Sequence, residues 1–171
     1  MKKFFFLLIL VGVNGLTVIK NLFFKEGFTN CIYSCQTLKK KNFSLEHVIP
    51  KSYLPSRLRN DPQNLYPCNR EINTKRSNYP FKFKYEKKNP LALKKVLNDG
   101  YYIDECFKQM YIRDETKGIV ARIILYFYKI YNIQINEILP LKIAIEWDKK
   151  YPLKNYELKH NEIISNYKSY R

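Results

Sequence analysis

Glu46 and His47 stand side by side in Phe43-Ser44-Leu45-Glu46-His47-Val48-Ile49-Pro50, and Asn73 follows in Glu71-Ile72-Asn73-Thr74-Lys75-Arg76-Ser77-Asn78. Glu46 offers a hard, anionic oxygen and Asn73 a neutral carbonyl oxygen. Two oxygen donors with the remaining positions left to water suit Mg²⁺, which keeps much of its hydration shell. An unperturbed imidazole has a pKa of about 6.5, so His47 is able to take a proton from water near neutral pH. Together these are parts for metal-assisted hydrolysis. Taken singly they mean little: a Glu-His pair is ordinarily a surface feature, and an asparagine ordinarily a turn or cap residue. The argument rests on the combination.

The elements that must position them follow from the same stretch. Residues 43 to 49 read as a short strand, β-branched and apolar, ended by Pro50. A loop through Asp61-Pro62-Gln63-Asn64 leads to a second short strand near Leu65, and residues 68 to 75 suit a brief helix. Such a strand–loop–strand–helix unit can hold one strand residue and one helix residue around a single ion. Neighbouring strand residues point to opposite faces, so Glu46 and His47 reach one site only if the strand twists or kinks there.

The rest of the chain reads mainly as scaffold. Residues 16 to 42 suit a short helix followed by a basic loop ending in Lys39-Lys40-Lys41. A basic segment with Lys82, Lys84, Lys87 and Lys88 precedes one or two helical turns over Leu91 to Leu97. Apolar residues at 120, 121, 124, 125 and 128 have helix periodicity over Ile119 to Tyr131. A helix beginning after Asn136 and running to about Lys150 would hold Pro140 in its first turn, where proline is tolerated. Asn155 is placed to cap a last helix with Tyr156, Ile163, Ile164 and Tyr167 facing inward. Trp147 is expected in the core and His160 on a solvated face.

Length and composition limit the class. The 171 residues fit one domain, and 46% hydrophobic against 27% charged residues exclude a disordered chain. Thirty-one Lys and Arg against fifteen Asp and Glu leave a net charge of +16. That field attracts polyanions, so nucleic acid is the expected partner and an anionic membrane surface the alternative. Lys2 and Lys3, the apolar run Phe4 to Val13 and a small residue at Gly15 have the layout of a secretory signal peptide. The run is about half the roughly 20 residues a membrane span needs, although an uncleaved anchor would share this pattern. Behind a signal peptide, Cys31, Cys35, Cys68 and Cys106 suggest two disulfides of unassigned pairing. No second close pair complements the C-x3-C of Cys31 and Cys35, which counts against a structural zinc site.

Seventeen residues separate His47 from Asn64 and nine separate Asn64 from Asn73, the spacing of the HNH-type nuclease hairpin. The sequence resembles the bacterial endonuclease I family, nucleases of the ββα-metal superfamily. The resemblance is carried by Glu46-His47-Val48-Ile49-Pro50, by Asp61-x-x-Asn64-Leu65-x-Pro67 and by Glu71-Ile72-Asn73 leading to Arg76-Ser77-Asn78. It continues through Ala121-Arg122 with Leu125-Tyr126, Trp147 to Pro152 and Glu157-x-x-x-Asn161-Glu162-Ile163, about residues 43 to 170.

The resemblance implies Glu46 and Asn73 as metal ligands, His47 as general base and Asn64 as the residue that holds the loop and helps orient the histidine. It implies hydrolysis of phosphodiester bonds to 5′-phosphate and 3′-hydroxyl ends, with Mg²⁺, or else Mn²⁺ or Ca²⁺, as cofactor. The loop after His47 is short beside family members that place a phosphate-binding arginine there; Arg57, Arg59 and Arg76 are the candidates for that role. The family's usual cysteine pattern before the hairpin is replaced by Cys31-x3-Cys35, so its disulfide pairing does not carry over.

These readings converge on an α+β fold, a hairpin-plus-helix site over residues 43 to 80 packed on a mainly helical body, in a single domain spanning 16 to 171. The expected activity is a largely sequence-nonspecific, metal-dependent endonuclease acting on DNA, with RNA a second substrate. It is expected to be a monomer, exported to the periplasm or outside the cell, with no stable membrane partner. Two alternatives stand beside it: a more specific intracellular HNH-type nuclease, and a nonenzymatic basic nucleic-acid-binding protein on a degenerate nuclease scaffold.

Overall fold

Phe43–His47 form strand β1, paired antiparallel with β2, Leu65–Asn69, in the computed structural model, which describes residues 15–83 and 90–169. Glu46 lies opposite Tyr66 and His47 opposite Leu65. Helix α2, Arg70–Arg76, starts directly from β2, and the Asn69 side chain caps it by accepting from the Glu71 N–H at 2.9 Å. The helix ends at Ser77, whose φ of 51° turns the chain away. Strand, loop, strand and helix thus occur in the order read from the sequence, and both strands are five residues long.

Around this unit stand α1 (Gly15–Lys25), α3 (Pro90–Asp99), a second hairpin of β3 (Tyr101–Asp104) and β4 (Gln109–Ile112), then α4 (Asp114–Tyr131), α5 (Leu141–Lys150) and α6 (Asn155–Ser169). The β3–β4 hairpin was not expected. Its start depends on Gly100, at φ +86°, where a Cβ would run into the Tyr33 carbonyl oxygen. α4 is the central beam of the body. It buries ten of its eighteen residues and stops at Asn132, which takes the left-handed conformation and donates to the carbonyls of Phe127 and Tyr128.

Arg122 of α4 joins three helical segments. Its guanidinium meets both Glu157 oxygens at 2.6 and 2.7 Å, Asp148 at 3.1 Å and the Tyr151 carbonyl at 2.9 Å. Such a bidentate Arg–carboxylate pair fixes geometry as well as contributing energy.

Two sequence expectations change. α5 begins at Leu141 rather than soon after Asn136, because Pro140 takes an extended ψ of 136° and the Asn136 side chain caps the Leu141 N–H at 3.1 Å. His160, expected in solvent, is wholly buried: it stacks on Tyr66 with ring centroids 3.9 Å apart and its Nε2 lies 2.9 Å from the Leu65 carbonyl. Positions 156, 160, 163, 164 and 167 form one helical stripe, and the α6 face carrying it lies on the β2 strand. Trp147 is in the core, as expected.

All four cysteines are free in the structure: Cys31 and Cys68 are buried, Cys35 and Cys106 exposed. Residues 1–14 of the expected signal segment, and Lys84, Lys87 and Lys88 of the basic segment, lie outside the described residues. Among the described residues no helix is long and apolar enough to cross a membrane.

Candidate active site

Glu46 points into the protein and is 1% exposed. Its Oε1 accepts from the Tyr33 hydroxyl at 2.7 Å and faces Arg76 Nη1 at 3.3 Å. Burial pushes the Glu46 pKa up, while the Arg76 charge and the Tyr33 hydrogen bond oppose the shift. Tyr33 is driven the other way from ionisation by its own burial and by the Glu46 charge, so it remains a hydroxyl donor. Both contacts to Glu46 fall on Oε1.

Asn73 sits one turn before Arg76 on α2 and is half-buried against β1. Its Nδ2 donates to Ser44 Oγ and to the Leu45 carbonyl, each at 3.0 Å. Those two acceptors fix the side-chain amide against the strand. A carboxylate on β1 and a side-chain amide on α2 are hard oxygen donors of the type a divalent cation that retains water would use. Among the described residues no group of three or more His, Cys, Asp or Glu comes together.

His47 ends β1 and takes a different anchor. Its Nε2 has no hydrogen-bond partner among the described residues. The Asn60 side chain and the Arg59 backbone act on the ring as hydrogen-bonding groups that favour its charged form. Burial lowers the His47 pKa to about 4, with the Lys51 charge adding to the effect and the Asn60 contact opposing it. The imidazole is neutral at pH 7, the form a general base requires.

The loop that carries Arg59 and Asn60 is itself tied down. Asn64 is completely buried; its Oδ1 accepts from the Ile49 N–H at 2.7 Å and its Nδ2 donates to the Ile49 carbonyl at 2.8 Å. The Val48 N–H donates to the Asn64 carbonyl at 3.1 Å. Asn64 thus pins the chain just after His47 and makes no bond to the imidazole. Asp61 caps the next turn through the Gln63 N–H at 2.9 Å and accepts from the hydroxyls of Tyr126 and Tyr131 at 3.0 and 2.7 Å. These two tyrosines of α4 fasten the far end of the loop to the body.

The three candidate phosphate-binding arginines part company. Arg57 and Arg59 are exposed on the loop beside His47, with Arg59 Nε donating to the Leu54 carbonyl at 3.2 Å. Arg76 is 1% exposed and spends its guanidinium on Glu46, on the His47 carbonyl at 3.3 Å and on the Val48 carbonyl at 2.7 Å, with the Phe81 ring 4.9 Å beyond. The phosphate-binding expectation for Arg76 is corrected: a guanidinium so enclosed braces β1 and counters the Glu46 charge.

Sequence reasoning gave no role to Tyr33, Asn60, Tyr126 or Tyr131, although Leu125-Tyr126 belongs to the stretch that resembles the family. Asn60 directly precedes the quoted loop, and Asp61-Pro62 carries a cap signal. Tyr33 had none, since it reaches Glu46 from a separate segment.

The family model described as Endonuclease I matches residues 11–171. A comparison with curated proteins finds no match.

Proposed function

The chain belongs to the endonuclease I family and is a nuclease, and we propose that it is a divalent-metal-dependent endonuclease that hydrolyses DNA with little regard to sequence, leaving 5′-phosphate and 3′-hydroxyl ends. The observation that carries this reading is the Endonuclease I match over residues 11–171, on a strand–loop–strand–helix unit that places Glu46 and His47 on β1 and Asn73 on the α2 helix bonded to that strand.

In this reading His47 Nε2 accepts the proton of the attacking water. The Arg59 backbone and Asn60 hydrogen-bond the ring, and Asn64 and Asp61 hold the loop that presents them. Glu46 and Asn73 would hold Mg²⁺, with Mn²⁺ or Ca²⁺ as substitutes. The chemistry such an ion supplies is positive charge for the phosphoryl oxygens and for the leaving 3′ oxygen. Tyr33 and Arg76 hold Glu46 in place and oppose the rise in pKa that its burial causes.

Binding comes from charge. Arg57, Arg59 and Lys51 lie exposed on the loop beside His47, and Lys75 and Arg70 on the outer face of α2. Contacts of this kind go to phosphates, so they bind in a salt-dependent way without reading bases. RNA carries the same phosphates and is the second substrate we propose. Members of the family act on DNA and are typically periplasmic or secreted. For this chain we propose export under a signal peptide over residues 1–15, with a monomeric nuclease domain from 16 to 171.

The test uses purified residues 16 to 171 with supercoiled plasmid and Mg²⁺, beside EDTA and His47→Ala controls. Nicking followed by degradation, abolished by EDTA and slowed about 10²–10⁴-fold in His47→Ala, is expected. Cleavage that persists in EDTA would overturn the metal dependence. A wild-type rate in His47→Ala would remove His47 as the base.

A further inference from the structure

Four cysteines take no part in the nuclease chemistry, yet two of them meet. Cys31 lies in the segment between α1 and β1, and Cys68 in β2. Their Sγ atoms are 3.8 Å apart, and the residues are 1% and 0% exposed. The two segments are already fastened together. The Ile32 N–H donates to the Pro67 carbonyl at 2.9 Å, and the Asn69 N–H points at Cys31 Sγ at 3.4 Å. Both sulfurs are therefore positioned by backbone bonds in a dry part of the core. A disulfide needs a sulfur separation of about 2.05 Å, and the two sulfurs are already in contact on segments that backbone bonds hold side by side.

We propose that Cys31 and Cys68 are a modification site, forming a structural disulfide in an oxidising compartment, while Cys35 and Cys106 stay thiols. Cys35 is exposed and touches Arg113, and Cys106 is exposed in the turn between β3 and β4. The oxidant is a small-molecule disulfide of the glutathione class. One cysteine thiolate attacks it, forming a mixed disulfide and releasing one equivalent of small thiol. The second cysteine then displaces the other equivalent. The protein gives up two protons and two electrons, and the oxidant leaves as two thiols. Since both sulfurs are closed to solvent in the folded chain, the exchange happens while the chain is folding. Once formed, the bond is shielded from reductants by the same burial.

The bond closes residues 31 to 68, the stretch that holds Tyr33, Glu46, His47 and Asn64. It ties the segment that presents Tyr33 to the strand opposite Glu46.

The test refolds the reduced, denatured chain in a glutathione redox buffer, in parallel with dithiothreitol. Each product is alkylated without reduction, digested and analysed by mass spectrometry. A peptide linking Cys31 to Cys68, with Cys35 and Cys106 alkylated, is expected from the redox buffer. The oxidised protein should melt about 10 °C above the reduced one, as closure of a loop of this size implies. In Cys31→Ala/Cys68→Ala that difference should vanish. Alkylated Cys31 and Cys68 in the folded, redox-equilibrated protein, or a linkage to Cys35 or Cys106, would overturn the proposal. The mapping is made on the natural chain, so it stands even if the variant folds poorly.

Discussion

Replacing Arg76 by methionine leaves the Glu46 carboxylate buried without its cation and deprives the His47 and Val48 carbonyls of a donor. Methionine retains an apolar stem against Phe81, so the change isolates the polar loss. Removing one partner of a buried ion pair costs about 3–5 kcal/mol, because the remaining charge is uncompensated. For a chain of this size that corresponds to a fall in melting temperature of roughly 6–20 °C. An exposed, phosphate-binding arginine behaves differently: its loss changes stability by about 0.5 kcal/mol or less and appears in DNA affinity and its salt dependence.

Thermal unfolding followed by circular dichroism without DNA, together with DNA binding in EDTA at two salt concentrations, separates the two roles. Adding Glu46→Gln to Arg76→Met should recover part of the lost stability, since the stranded charge is removed. A melting temperature within about 2 °C of the natural protein, with DNA affinity weakened, would refute the bracing role and return Arg76 to the phosphates.

Three further outcomes follow from the site. Asn64→Ala strands the Ile49 N–H and carbonyl in a buried place, so urea unfolding should show a loss of about 2–6 kcal/mol; an unchanged midpoint would show that the clamp carries no energy. Tyr126→Phe/Tyr131→Phe frees Asp61 from both hydroxyls and should lower kcat several-fold with KM little changed, whereas a natural kcat would disconnect this cluster from the His47 loop.

In the metal-free protein the His47 resonances, assigned with His47→Gln, should stay in the neutral position from pH 7.5 to about 5.5 and move only near pH 4. The folded pKa lies below the unfolded value of about 6.5. The His47 contribution to stability is therefore complete above pH 6.5 and is lost as pH falls toward 4. A midpoint at 6.5 would contradict the burial of the ring.

The elements that carry the candidate site were legible because they are local. Glu46, His47, Asn64 and Asn73 lie within one strand–loop–strand–helix stretch, where the short apolar run and Pro50 mark the first strand from neighbouring residues alone, although the helix starts at Arg70 rather than 68. Hydrophobic periodicity likewise marked α4 and α6, because a stripe at helical spacing is a property of the chain before it packs. The charge of +16 already named the kind of partner.

What the chain could not declare by itself depended on what packs against what. Arg76 matched a motif and was exposed in no obvious way or hidden in no obvious way until α2 lay on β1 and enclosed it. Tyr33 reached Glu46 from a segment separated from it in sequence, and Tyr126 and Tyr131 reached Asp61 from α4. His160 became a core residue when α6 covered Tyr66, and Cys31 found Cys68 when its segment bonded to the end of β2. Local sequence specifies elements because backbone hydrogen bonding and side-chain spacing act over a few residues. The partners of a buried charge or thiol are decided by long-range packing, which alone sets the solvation on which their chemistry depends.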